Sequence, residues 1–326
     1  YNQLFTSANP HDIEEVVQHT KKVVSDDMNN CLTRDFSKDE VERALKQMAP
    51  LKAPGPDGMP PVFFQHYWES IGDDVVKAVI SCLNSNSIEP GLNHTFIALI
   101  PKVKSPEFVT EFRPIALCNI LYKLVSKVLA NRLKKVLPHI ISESQSAFQS
   151  DKAISDNILV AFEMLHHMKR KRTGKMGHMA LKLNMSKAYD RLEWVFLQRI
   201  MEKIGFDSKW IGWIIECIKS VSYSILVNGE PKGHIVPTQG IQQGDPLSPY
   251  LFLICSEGLN GLIDHAVDNK HIEGVSLCRN GPKISHLFFA DDSVLFCRAR
   301  VGDVEKIQEI LGKYECASGQ KINSDK

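Results

Sequence analysis

Two adjacent carboxylates, Asp291 and Asp292, sit between the apolar runs Leu287-Phe288-Phe289 and Val294-Leu295-Phe296. Like charges held together repel and shift each other's protonation, so such a pair calls for a cation nearby. Hard carboxylate oxygens suit Mg²⁺, which makes the pair a candidate divalent-metal site. Taken alone, Asp-Asp between two strands is also the composition of a solvated β-turn. The order of signals around it favours chemistry. A strand-like run ends at Asn184 and is followed by Lys187-Ala188-Tyr189-Asp190-Arg191. A glycine-bounded loop, Gly240-Ile241-Gln242-Gln243-Gly244-Asp245-Pro246, then leads into a helical pattern. The segment 318–326, ending at Lys326, follows the Asp pair.

A second chemistry is written in charge. The chain has 39 Lys+Arg against 38 Asp+Glu, a net charge of +1. Between residues 100 and 135, however, eight Lys/Arg (Lys102, Lys104, Arg113, Lys123, Lys127, Arg132, Lys134, Lys135) face only two Glu. A local excess of this kind is what a polyphosphate groove requires. A solvated helix face has the same composition. Another basic cluster lies at Lys169-Arg170-Lys171-Arg172, with Lys175 beyond it.

The elements that must position these groups follow from periodicity. Met179 to Asn184 alternates, setting Leu181 and Leu183 on one face and Lys182 and Asn184 on the other. Ser285–Phe289 and Ser293–Phe296 read as two strands closed by a tight turn at Ala290-Asp291-Asp292. Phe96–Ile100 and Tyr223–Val227 read as strands, the latter ending in the hairpin signal Asn228-Gly229. Helices are expected after Asp12 (Ile13, Val16, Val17, Val23, Val24), after the capping box Ser37-Lys38-Asp39-Glu40, over 120–137 up to Pro138, over 156–169 and over 247–267. Asp190 is expected to cap the helix carrying Leu192, Val195 and Phe196. Residues 50–61 hold five prolines and two glycines, too many for a helix, and by composition alone read as a linker.

Composition narrows the class. With 43% hydrophobic and 24% charged residues over 326 positions, the chain is globular and long enough for two or three lobes. No apolar run approaches the ~18–20 residues of a membrane helix. None of the eight cysteines lies within four residues of another, so no zinc or dithiol pair exists. Their apolar neighbours suit reduced core thiols of an intracellular protein. His166-His167 has no third ligand at metal spacing, and Trp210 and Trp213, at helical spacing, suit core. Residue 1 is Tyr1 rather than Met, which reads as a piece of something longer.

Taken together, these motifs resemble the reverse transcriptase of non-LTR (LINE-type) retrotransposons, in the branch common in flowering-plant genomes. The resemblance covers nearly the whole chain. It rests on the loop 52–58, Phe112-Arg113-Pro114-Ile115, the run from Asn119 to Leu133, Gln145-Ser146-Ala147-Phe148, Asp156-Asn157 and the four ordered signals above. It implies an α+β right-hand polymerase fold with fingers and palm and no thumb: residues 1–50 a helical extension, 51–178 fingers-like, 179–326 palm. The loop 50–61 then belongs to the fingers.

The implied activity is RNA-directed DNA polymerisation, adding deoxynucleotides to a primer 3′-hydroxyl on an RNA template. Two Mg²⁺ ions, for which Mn²⁺ can substitute, would activate the attacking oxygen and stabilise the leaving pyrophosphate. The resemblance assigns the metals to Asp291, Asp292, the position of Asn184 and the carbonyl of Met185. It gives Arg113 the triphosphate, Tyr189 the sugar, Gln243 and Gly244 the nucleotide and template, and Lys326 the pyrophosphate. Lys123, Lys127, Arg132, Lys134 and Lys135 are the candidate nucleic-acid contacts. The remaining partners would be the other domains of a retrotransposon polyprotein, in nucleus or cytoplasm and away from membranes.

One departure matters most. Where the family reads Lys-Leu-Asp-Met-Ser-Lys-Ala-Tyr-Asp, this chain has Lys182-Leu183-Asn184-Met185-Ser186-Lys187-Ala188-Tyr189-Asp190. Asn offers one neutral oxygen where a carboxylate offers two anionic ones. Gln242 stands where the family has Arg, and Asp151-Lys152 where it has Gly-Arg. The resulting expectation is a degenerate copy, either an impaired polymerase or a nucleic-acid-binding relic without catalysis.

Overall fold

The computed structural model describes residues 2–149, 152–171, 177–278 and 281–323. Eight strands are present among them: β1 (His94–Pro101), β2 (Phe112–Cys118), β3 (His178–Ser186), β4 (Ser222–Val227), β5 (Glu230–Ile235), β6 (His286–Phe289), β7 (Asp292–Arg298) and β8 (Lys321–Ile322). They form two four-stranded sheets, ordered β2-β1-β4-β5 and β6-β7-β3-β8. The fold is mixed α/β, with more of the described residues in helices than in strands.

The chain divides into two compact units, each assembled from three segments. The first comprises Tyr1–Ser7, Ser25–Lys135 and Phe206–Pro249. Its sheet is antiparallel except where β1 runs parallel to β4. The hairpin β4–β5 turns at Asn228 and Gly229, both at positive φ (52° and 84°), the geometry an Asn-Gly pair adopts cheaply. Trp210 and Trp213 are buried in this unit, and the Trp213 Nε1–H donates to the Leu83 carbonyl at 2.6 Å. The proline-rich loop is tied down: the Asp57 N–H donates to Asn119 Oδ1 at 3.1 Å. It is part of the unit's packed structure, not a free linker.

The helix Lys38–Lys46 starts as the capping box predicts, the Ser37 N–H donating to Glu40 Oε2 at 3.2 Å. The helix Ile120–Ile140 runs two residues past Pro138, where the sequence predicts an end. A proline in the last turn removes only one bond, the one to the Lys134 carbonyl, and Lys134 lies at the surface.

The second unit comprises Ala8–Val24, Val136–Gly205 and Tyr250–Lys326. β3 pairs antiparallel with β7 along seven residues, and β6 closes a hairpin on β7. Phe296 and Met164 are core members behind this sheet, with Ala161, Val275 and Leu287. The first helix here stops at Val17 and does not extend to Val24 as expected. The Val23 and Val24 N–H groups instead donate to the Ile204 carbonyl at 3.0 and 3.1 Å, closing the end of the helix Trp194–Ile204. That helix opens at Glu193, so Asp190 is not its cap; Asp190 is buried in the turn before it.

Candidate active site

The second unit's sheet brings the carboxylate pair to Asn184. β3 ends beside the β6–β7 turn, with Asn184 directly opposite Asp292. The Asn184 Nδ2–H donates to Asp292 Oδ1 at 3.0 Å. The Lys182 ammonium lies 3.8 Å from the same oxygen. The Met185 N–H donates to the Asp291 carbonyl at 3.1 Å, tying strand to turn by main chain as well. Ala290 holds φ at +56°, a left-handed conformation unusual for a residue with a Cβ. This turns the chain tightly enough to present two consecutive aspartates, Asp291 exposed and Asp292 half-buried.

Tyr189 lies against the face of Phe252, ring centroids 5.4 Å apart and 13° from parallel. Burial, with the Asp291 charge adding to it, pushes its hydroxyl up to about 12. Tyr189 therefore stays neutral at physiological pH, its ring held flat against Phe252. Lys326 and Asp151 lie outside the described residues.

The donor set tests poorly against two divalent ions. Two carboxylates are present, and no group of three His, Cys, Asp or Glu is placed to hold a metal among the described residues. At the third position, the amide of Asn184 turns a hydrogen-bond donor toward Asp292 and satisfies the oxygen a metal would take. The residues present do not fit a metal pair.

In the first unit, Arg113 is exposed on β2 opposite Ile100. The Gln243 carbonyl accepts from the Ala116 N–H at 2.8 Å. Gly244 has φ +115°, and a Cβ there would sit 3.1 Å from the Ala116 carbonyl oxygen, so the close approach requires glycine. Gln242 is built into a buried network. It accepts from Cys118 Sγ at 2.9 Å and donates to Asn93 Oδ1 at 3.0 Å. Lys127, Lys134 and Lys135 remain at least partly exposed, burial and the Lys134 charge lowering the Lys127 ammonium.

Two of the five expected nucleic-acid contacts are corrected. Arg132 is 2% exposed and gives all five of its N–H groups to protein acceptors. Nε and one terminal nitrogen donate to Glu40 at 2.9 and 2.8 Å, and the others reach the carbonyls of Leu32, Arg34 and Asp35 at 2.6–2.8 Å. Its guanidinium also lies over the Phe36 ring, 3.7 Å from the centroid. Nothing is left for a phosphate. Lys123 is likewise 2% exposed, its ammonium pKa lowered by burial, so it is no surface contact. Charge counting along a helix does not distinguish outward from inward cations. The i-spacing of Arg132 within the apolar stripe Val125, Val128, Leu129, Leu133 was the available signal.

Sequence reasoning gave no role to Gln145 and read Lys152 as drift. The Lys152 ammonium donates to the carbonyls of Ser142, Glu143 and Gln145 at 3.2–3.4 Å, so it anchors the loop that the β6–β7 hairpin leans on. The loop itself forms a parallel bridge to that hairpin at Gln145 and Phe288.

Comparison with known proteins identifies what this scaffold is similar to. Residues 100–326 match the family model described as reverse transcriptase (RNA-dependent DNA polymerase). The Xenopus laevis transposon TX1 uncharacterized 149 kDa protein is 28% identical over 93% of this chain. The Pol polyprotein from the type-2 retrotransposable element R2DM of Drosophila melanogaster is 24% identical over 92%. The chain spans 23% and 27% of those two proteins. An uncharacterized mitochondrial protein of Arabidopsis thaliana is 47% identical over 68 residues, 21% of this chain and 56% of that protein.

Proposed function

The chain belongs to the reverse transcriptase (RNA-dependent DNA polymerase) family, and on that premise we propose that it is the polymerase domain of a LINE-type non-LTR retrotransposon whose nucleotidyl transfer is weakened by Asn184. The observation that carries the reading is the register of Asn184 with Asp292 beside the exposed Asp291. The second unit's sheet is the palm in this reading, and the first unit contributes fingers. Arg113 takes the triphosphate, Tyr189 supports the sugar, Gln243 and Gly244 face nucleotide and template, and Lys326 faces pyrophosphate. Template and primer contacts fall to Lys127, Lys134 and Lys135. The 47% identity to the Arabidopsis protein supports placement in the plant branch.

A relic that binds nucleic acid without catalysis is the second reading. It is favoured by the Asn184 amide and the Lys182 ammonium, which already satisfy and partly neutralise Asp292. Primer extension separates the two. The experiment compares the natural chain, Asn184→Asp, and Asn184→Asp with Asp291→Ala, in Mg²⁺ and in Mn²⁺. Each 1.36 kcal/mol on the barrier costs tenfold in rate, and a missing carboxylate is expected to cost at least about two such steps. The expected result is extension by Asn184→Asp at least roughly a hundredfold above the natural chain, abolished by Asp291→Ala. Robust Mg²⁺-dependent synthesis by the natural chain would overturn the impairment. No gain with Asn184→Asp would favour the relic.

A further inference from the structure

We infer that the end of the second unit's sheet remote from Asn184 is a separate nucleic-acid site, which grips a single strand by its phosphate backbone. The basic cluster 169–172 has no place in the polymerase site proposed above, and its described members lie at this end. Lys169 and Arg170 close the helix Ile154–Arg170, and Lys171 follows. The Lys171 ammonium lies 3.4 Å from Nδ1 of His178, the first residue of β3. His178 in turn is paired across the sheet with Arg298. The strand from His178 to Asn184 sets this cluster about 20 Å from the carboxylate pair.

Positive charge continues past the end of β7. A cavity of about 400 Å³ opens there, lined by Lys270, His271, Arg300, Gly302, Asp303 and Lys306. Glu273 joins it to the cluster: its carboxylate holds Arg298 at 2.6 Å, and its N–H donates to Asp303 Oδ2 at 3.4 Å. Part of the charge is spent internally. The Glu273 oxygen that holds Arg298 also holds Lys283 at 2.7 Å, buried Asp303 takes Arg300 at 2.7 Å, and Glu309 takes Lys306 at 2.8 Å. Lys169, Arg170, Lys171 and Lys270 are exposed and have no carboxylate partner among the described residues. An ordinary solvated face interleaves its cations with acids. An uncompensated excess in one place is what a polyphosphate needs.

The charge is kept at a cost. Just past the helix Ser248–Asp268, Lys270 holds φ at +59°, a left-handed conformation that glycine or asparagine adopts more cheaply at a helix end. His178 is pushed below its usual protonation range, by burial first and then by Lys171 and Arg298, so the potential here is positive even with Glu273 present. Cations that repel one another are relieved by a polyanion, and release of its counterions drives the association. Ammonium and guanidinium groups aimed at phosphates carry no sequence information, so the grip is independent of base sequence. It is also independent of whether the carboxylate pair catalyses.

The test titrates the chain with single-stranded RNA and DNA oligonucleotides of one mixed sequence, read by fluorescence anisotropy at several salt concentrations. Lys171→Glu with Lys270→Glu is compared with Lys203→Glu and Lys219→Glu, two exposed lysines elsewhere whose reversal changes the net charge equally. The first pair should lose at least roughly tenfold in affinity at low salt, and its slope of log affinity against log salt should fall by about 1.4, or 0.7 for each lost contact. The second pair should stay within roughly twofold of the natural chain. Loss on RNA, on DNA or on both supports the inference and names the strand. Loss no greater than in the second pair overturns it. Should the Glu pair fail to fold, Lys171→Gln with Lys270→Gln decides: it removes the contacts without adding repulsion, and an unchanged slope there overturns the inference too. Binding is read without catalysis, so a failed primer extension by Asn184→Asp would count against the polymerase reading alone.

Discussion

In the proposed polymerase reading, the side-chain nitrogen of Asn184 decides what the carboxylate pair can do. As an amide it donates to Asp292, so the metal-free hairpin is internally satisfied. Asn184→Asp places a third carboxylate beside Asp291 and Asp292, and like charges without a cation repel. The substitution is therefore expected to lower metal-free stability at neutral pH by on the order of 1 kcal/mol, with Mn²⁺ recovering the loss. Thermal melts with and without Mn²⁺ check this: the natural chain should gain little from the ion and Asn184→Asp clearly more. Glu257 makes a second prediction at this scale. Burial pushes its carboxyl up to about 7, against the opposing hydrogen bonds of Ser142; the Asp264 charge adds to the rise and Lys152 reduces it. A carboxyl that titrates higher folded than unfolded favours the folded state fully only below its unfolded value near 4.5. That advantage is lost as pH rises through about 7, a change of roughly 3 kcal/mol. Glu257→Gln keeps the acceptor for Ser142 and removes the titration. Urea midpoints should fall from pH 5 to pH 8 in the natural chain and change much less in Glu257→Gln.

Among the elements, the helix Ile120–Ile140 is fixed to the helix Lys38–Lys46 by Arg132 and Glu40. Burial alone would raise the Glu40 carboxyl. The hydrogen bonds and charge of Arg132, with help from the Ser37 N–H and Arg34, overcome it and hold the pKa at about 2. A carboxyl lowered on folding contributes stability above its unfolded value of 4.5, and that contribution disappears as pH falls through about 2. Removing one partner of a buried pair leaves the other charge uncompensated, a cost of roughly 3–5 kcal/mol. Arg132→Met should therefore be severely destabilising in urea unfolding near pH 7, and Glu40→Leu added to it should recover much of the loss. Equal stability of the single and double variants would show that the pair is not acting as a unit. The same argument removes Arg132 from the nucleic-acid face, because an arginine with five internal acceptors has no donor to give away.

For the whole chain, near-zero net charge is compatible with a cationic surface only if the positive charge is concentrated. The outward part of the 100–135 excess is Lys102, Lys104, Arg113, Lys134 and Lys135, all exposed, and the last two are adjacent on one helix. Each phosphate contact adds roughly 0.9 to the slope of log affinity against log salt on a duplex. Lys134→Glu with Lys135→Glu is expected to weaken RNA–DNA duplex binding and reduce that slope by up to about 2. Titrations at several salt concentrations read both quantities, and an unchanged slope would remove these two lysines from the interface.

The sequence by itself determined the family and most elements. Alternation marked β3, because a strand with one buried face must repeat every second residue, while β6 and β7 were legible as short apolar runs on either side of a turn signal. The Asn-Gly and Ser-x-x-Glu signals are local backbone chemistry and need no tertiary partner. That Asn184 stands where the resemblance expects an aspartate was legible for the same reason, as a residue type at a motif position. What only the tertiary structure decided is where side chains spend their polar groups. Lys123 and Arg132 look like their neighbours Lys127 and Lys134 in one dimension, yet burial turns the first pair into interior cations. Val23 and Val24 continue a helical pattern but leave it, because the open carbonyl of Ile204 lies 180 residues away in sequence and beside them in space. Gln145 is a motif letter until its oxygen is seen on the Ala290 amide. Hydrogen bonds between distant segments depend on register and packing, and neither has a period that a single strand or helix can record.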